Sequence, residues 1–206
     1  HQGNRNAGWY VRDCLGNFTL MAMLMTLPSI GSIIGNAIAP FLIRHFGAHG
    51  KRNVLVASLV GKGIGLLIIF MTPFENIGMV IFGHVLFTIP GFGFPSTLSM
   101  VADSIDYQDL KTGVRSDGVA YAFYGLATKV GNAFGGSIGV MLMAAFGYAA
   151  GADITASAQH GINMAANLVP GIFFIIAGLL PLIFWKMTDK EADEIREKIT
   201  ARNMAE

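Results

Sequence analysis

The chain has 206 residues, of which 53% are hydrophobic and 13% charged, with 26 glycines and a formal net charge of +1. Ordinary soluble domains carry about 25% charged residues, so this composition and a mean hydropathy of +0.54 exclude a typical soluble globule, and the near-neutral balance argues against nucleic acid as a partner. The single cysteine, Cys14, rules out a disulfide within the chain and a cysteine-based metal site. Apolar stretches recur that are long enough to cross a hydrocarbon core about 30 Å thick, which implies an all-α, polytopic membrane helical bundle.

In chain order, the opening HQGNRNAGWYVRDCLGN starts at His1 and is too polar for a complete span or a signal peptide. It reads as the remnant, at about 1 to 14, of a helix already under way; the NFT at Asn17 matches a glycosylation sequon, a frequent chance match. Five full spans are expected at 19–43, 53–72, 77–102, 117–147 and 163–186. The first carries Gly31 and Gly35, four residues apart, and leaves through RHFGAHGKRN. His45 and His49 there have the spacing of a metal pair, but the flanking glycines and the lack of a nearby carboxylate argue against ligation. The second holds Lys62 between Gly61 and Gly63, which reads equally as a polar-pathway lysine or as one set among packing glycines. In the third, Pro90 and Pro95 around Gly91 and Gly93 must interrupt the backbone ladder, a break tolerated at membrane depth where it lines a cavity or is covered by protein; His84 is expected to be packed or interfacial. The fourth contains Lys129 and the four-residue series Gly131, Gly135, Gly139, a small-residue face suited to close helix packing in lipid. After the fifth, TDKEADEIREKITARN places Thr188 and Glu191 at capping-box spacing and Ile195 and Ile199 one turn apart. The chain thus divides into a membrane unit, 1–188, and a polar helical tail outside the bilayer, 189–206.

Loop charge sets the expected orientation, because Lys and Arg are retained on the cytoplasmic side. Arg44, Lys51 and Arg52 occupy one loop, Lys111 and Arg115 another, and Lys186, Lys190, Arg196, Lys198 and Arg202 the tail, whereas TPFEN and YAAGADITASAQHGIN contain neither Lys nor Arg. Tail and basic loops are therefore expected in the cytoplasm. From Asp117, the 12 residues to Lys129 at about 1.5 Å each put its ammonium about 18 Å deep. A charge there costs a few kcal/mol or more and should face a cavity or a carboxylate. It reads as lining a polar pathway, with a structural ion pair or a snorkelling lysine as alternatives. At the basic rim Asp103 and Asp106 end one span, and Arg115 precedes Asp117 at the start of the next. Such groups can pair between helices or with a partner surface and hold the rim shut, or simply anchor helix ends.

The pattern A-D-x-I-D-Y, then T-G-x-R-x-D-G, then K-x-G about a dozen residues on, resembles the glycoside-pentoside-hexuronide:cation symporters of the major facilitator superfamily. Weaker likenesses in YVRDCLGN, APFLIRHFG, FGY and LVPGIFF with TDK extend it along the whole chain. The resemblance implies the C-terminal half of a twelve-helix fold: a partial helix seven and helices eight to twelve. It implies a substrate and cation pathway of Lys129, Tyr124, Phe94, Gly125 and Asn132, and cytoplasmic gate charges Asp103, Asp106, Arg115 and Asp117. Two positions depart from a characterised member: Phe94 stands where a tryptophan packs on the sugar, and Gly125 where a threonine hydrogen-bonds. The family's cation-binding carboxylates lie in the N-terminal half, so neither sodium nor proton is assigned.

The resulting expectation is cation-coupled symport of a sugar or glycoside across a bacterial inner membrane by alternating access, with the N-terminal six-helix half and the lipid bilayer as partners, no cofactor beyond Na+ or H+, and no catalytic or metal site. The few scattered charges offer no convergent set for a membrane enzyme. A half-transporter fragment serving as a structural or assembly subunit is the alternative.

Overall fold

The computed structural model describes residues 9–15, 18–149 and 153–205. The opening residues of the expected helical remnant and the Asn17 sequon lie outside them. Within the described residues the fold is helical throughout: α1 (Phe18–His45), α2 (Gly50–Met71), α3 (Ile77–Thr88), α4 (Gly93–Thr112), α5 (Asp117–Ala145), α6 (Ala156–Asn163), α7 (Val169–Phe184) and α8 (Asp189–Ala205). A π-helical turn, Tyr10–Leu15, precedes α1. Among the described residues four segments are long and apolar enough to span a membrane: Ala22–His45, Gly47–Met71, Ile77–Thr112 and Ala156–Phe184. The 29-residue α5 has the length, but Lys129, Asn132 and its glycines dilute its apolar character.

The interruption expected at the prolines is present. Pro90 sits at φ −71° and ψ 34° inside a 3-10 turn, Ile89–Phe92, that joins α3 to α4. Its carbonyl accepts a hydrogen bond from the buried Ser58 hydroxyl of α2, so a break at this depth leaves one fewer polar group unsatisfied. One boundary differs from expectation. The last span starts at Ala156 rather than near 163, because Thr155 caps it by accepting from the Ala158 backbone N–H at 3.1 Å. A π-helical turn, Met164–Leu168, then carries the helix into α7.

Helix α2 is the centre of the bundle, and small residues let its neighbours approach. A Cβ at Gly65 would stand 2.7 Å from Gly83 O and Phe87 N of α3, and one at Gly63 would stand 2.7 Å from Gly171 O of α7. On α1, Gly35 faces the α3–α4 break, 2.6 Å from Phe92 N on the same measure, and Gly31 meets Thr88. The close backbone approach expected of Gly31 and Gly35 is thus present. At the end of the bundle away from the basic loops, Tyr10, Val11, Leu66, Ile69, Val80, Met143 and Ile162 form the apolar core.

Helix α5 is held differently. Gly139 and Met143 near its end are buried, whereas residues 126–138 are exposed throughout. A Cβ at Gly131 or Gly135 would meet nothing within 4 Å. Among the described residues these two glycines meet no neighbouring helix, and Gly139 is the buried member of the series. The close packing uses glycines of α1, α2, α3 and α7 instead, because those helices lie against one another along their lengths while α5 is anchored at its ends.

Candidate charged rim and pathway face

The rim is built on α4. Asp103, Asp106 and Asp109 recur every three residues, which places them along one helical face, and all three are buried. Each is paired. Asp103 receives Lys51 Nζ of α2 at 2.6 Å and Arg196 of α8 at 3.1 Å. Asp106 receives Arg115 at 2.9 Å and Arg196 at 3.7 Å. Asp109 receives Arg202 of α8 at 2.9 Å, with Arg115 at 3.8 Å. Arg115 follows the turn at Gly113, whose φ of 70° favours glycine. It also grips Asp117 with two hydrogen bonds of 2.7 and 3.0 Å. Asp117 first, and then Asp106, raise the Arg115 pKa above its already high value by bonding to the charged guanidinium.

The tail takes part in this network. The apolar stripe of α8, Ala192, Ile195 and Ile199, is buried, and Arg196 and Arg202 reach α4 from beside it. The start of α8 is fixed to α2: Asp189 Oδ2 accepts from the Lys51 backbone N–H at 3.2 Å, at a helix N-terminus that favours a carboxylate. His49 Nδ1 lies 3.3 Å from Met187 O, and Arg52 donates to Trp185 O at 3.3 Å. The capping box is formed, with Glu191 accepting from the Thr188 backbone N–H at 2.7 Å and its hydroxyl at 2.9 Å. Those two bonds, with a smaller contribution from His49, hold the Glu191 carboxyl below its usual pKa.

All four expected gate residues thus share one network, and within this chain they pair with each other and with α2 and α8. Sequence reading passed over Asp109, Lys51, Arg196 and Arg202 as members. The signals were present in the three-residue repeat of the aspartates and in Arg196 beside Ile195 and Ile199, but nothing in the chain order tells that α8 folds back on α4.

The expected pathway residues are arranged along an open surface. Gly125, Lys129 and Asn132 follow one stripe of α5 at helical spacing, with Tyr124 on the adjacent stripe that carries Gly131 and Gly135. Lys129 and Asn132 are exposed, Tyr124 and Gly125 are half-buried, and Gly125 O accepts from the Thr128 hydroxyl at 2.8 Å. Among the described residues no carboxylate pairs with Lys129. Phe94, 57% exposed, stands at the start of α4 just past the break. Lys62 on α2 is half-buried beside the close contacts of Gly61 with Pro90 and of Gly63 with α7. His84 is buried, with Nδ1 3.0 Å from Val80 O, as expected of a packed histidine. Among the described residues no three of His, Cys, Asp and Glu are grouped as metal ligands.

A profile of the MFS/sugar transport protein family matches residues 3–189. The chain is 28% identical over 195 residues to the glucuronide carrier protein homolog of Escherichia coli, covering 94% of this chain and 41% of that protein. It is 28% identical over 186 residues to the isoprimeverose transporter of Lactiplantibacillus pentosus, covering 89% and 36%. It is 24% identical over 204 residues to a putative glycoside/cation symporter of Escherichia coli, covering 96% and 43%. The chain therefore spans about two fifths of the length of these relatives. An all-α bundle with membrane-spanning helices, matched along nearly its whole length by that profile, belongs to the MFS/sugar transport protein family, in its glycoside-pentoside-hexuronide:cation symporter branch.

Proposed function

We propose that this segment is one wall of a cation-coupled sugar or glycoside symporter of the bacterial inner membrane, working by alternating access against a second, N-terminal set of helices. The observation that carries the reading is Lys129, an ammonium about 18 Å along α5 on an exposed helical face with no carboxylate partner among the described residues. A charge at that depth requires water or an opposite charge, and a transporter chamber between two halves supplies both. The names of the relatives, a glucuronide carrier homolog, an isoprimeverose transporter and a putative glycoside/cation symporter, support a sugar or glycoside as cargo.

In this mechanism Tyr124, Phe94 and Asn132 contact the sugar, and Lys129 pairs with a carboxylate of the opposite half whenever no coupling cation occupies it. The charged rim of α4 and Arg115 forms the cytoplasmic gate, with the tail on the cytoplasmic side. Uptake into proteoliposomes containing the whole protein, with sodium or proton gradients imposed separately and a panel of glucuronides, glucosides, galactosides and pentosides, tests the reading. Gradient-driven uptake of at least one sugar is expected, with Lys129→Ala abolishing the dependence on the gradient. Full retention of gradient-driven uptake in Lys129→Ala contradicts the role given to this residue.

A further inference from the structure

The three buried carboxylates of α4 are satisfied by two sets of cations of different origin. One set belongs to the membrane helices and their loops: Lys51 on Asp103, and Arg115 shared among Asp106, Asp109 and Asp117. The other belongs to the terminal helix: Arg196, which bridges Asp103 and Asp106, and Arg202 on Asp109. With α8 docked, Asp103, Asp106, Asp109 and Asp117 face four cations, Lys51, Arg115, Arg196 and Arg202, and Arg196 also pairs with Asp193 of its own helix at 3.2 Å. Without α8, the same four carboxylates keep Lys51 and Arg115 alone.

Uncompensated carboxylates in a partly desolvated site are costly and draw in any available cation. The attachment of α8 is also of a reversible kind. Its buried apolar stripe is three residues, Ala192, Ile195 and Ile199, and Arg196 is half-exposed, so each ion pair is worth far less than a sealed one. The helix keeps its own start independently of docking, because the Thr188–Glu191 capping box is local. A departure of α8 from the rim therefore has to pivot about its own start, which stays tied to α2 through Arg52 on Trp185 O, His49 beside Met187 O and the Lys51 backbone N–H on Asp189.

We propose that α8 is a latch on the rim: docked, its Arg196 and Arg202 neutralise the α4 carboxylates and leave the rim without attraction for the opposite half; released, it exposes a surplus of negative charge that pulls cations of the opposite half across and closes the cytoplasmic side. The inference rests on the alternating-access reading above. It makes Arg196 and Arg202 positioning residues of the gate, remote from the sugar.

The test uses the whole protein in inside-out vesicles, and for Thr128→Cys also in right-side-out vesicles, with other reactive cysteines removed and an impermeant maleimide as probe. Two reporters are read: Ala192→Cys on the buried stripe of α8, and Thr128→Cys on the exposed face of α5 beside Lys129. In Arg196→Gln/Arg202→Gln, labelling of Ala192→Cys is expected to rise several-fold and labelling of Thr128→Cys to fall several-fold. The conservative Arg196→Lys/Arg202→Lys, which keeps both charges, is expected to hold both rates near those of the parent, which a generally misfolded protein does not do. Unchanged labelling of Ala192→Cys shows that the arginines do not hold the helix and overturns the latch. Released α8 with unchanged or faster labelling of Thr128→Cys overturns its coupling to the gate. Thr128→Cys that is unreactive from both membrane faces in every variant removes the pathway reading and the latch together, whereas reactivity indifferent to the arginines removes the latch alone.

Discussion

At the scale of single residues, burial decides which charges matter. Asp103 is 2% exposed and holds two cations from different helices, so Asp103→Asn leaves Lys51 and Arg196 facing a neutral amide. Removing one partner from a buried pair costs about 3–5 kcal/mol. Because Arg196 reaches solvent, we expect about 2–3 kcal/mol here. Asp117 also pairs with Arg115, at 2.7 Å, but both side chains are nearly half exposed, and exposed pairs contribute about 0–1 kcal/mol. Denaturation in detergent micelles should therefore show a clear loss for Asp103→Asn and almost none for Asp117→Asn. Equal losses contradict the burial argument.

At the scale of helices, the distinction is between faces already covered and faces left open. Gly65 of α2 lies against the backbone of α3, where a Cβ would stand 2.7 Å from Gly83 O. Gly65→Ala is expected to destabilise by about 1–3 kcal/mol through overpacking. Gly131→Ala has no such neighbour and gains about 1 kcal/mol of helix propensity. Thermal unfolding of this segment with each substitution checks the contrast, and a larger loss at Gly131 contradicts it. Much of this scale was legible in the sequence: the spans at α1 and α2, the extent of helix α5, the break at Pro90 and the capping box at Thr188 follow from the pattern of apolar residues, proline chemistry and fixed local spacing. The start of the last span at Ala156 was not, since Thr155 acts as a cap through a single local hydrogen bond in an otherwise polar loop. Nor was the true location of glycine packing, because a four-residue glycine series marks a face able to pack without saying whether a helix lies on it. The rim was half legible. Asp103, Asp106, Arg115 and Asp117 are close in sequence, whereas Lys51, Arg196 and Arg202 reach it only through tertiary folding.

At the scale of the whole molecule, the two ends of the segment are secured and its middle presents an open wall. An apolar core closes one end and an ion-pair network the other, while α5 carries Lys129 between them on an exposed face. The central claim is that this face borders a water-filled chamber reached alternately from each side of the membrane. Its most direct test is the reactivity of Lys129→Cys in the whole protein toward an impermeant thiol reagent, read separately in right-side-out and inside-out vesicles. The account predicts labelling from both faces, because the chamber opens to each side in turn. Labelling from neither face, with the protein folded, would place the residue against lipid or sealed protein and contradict the account.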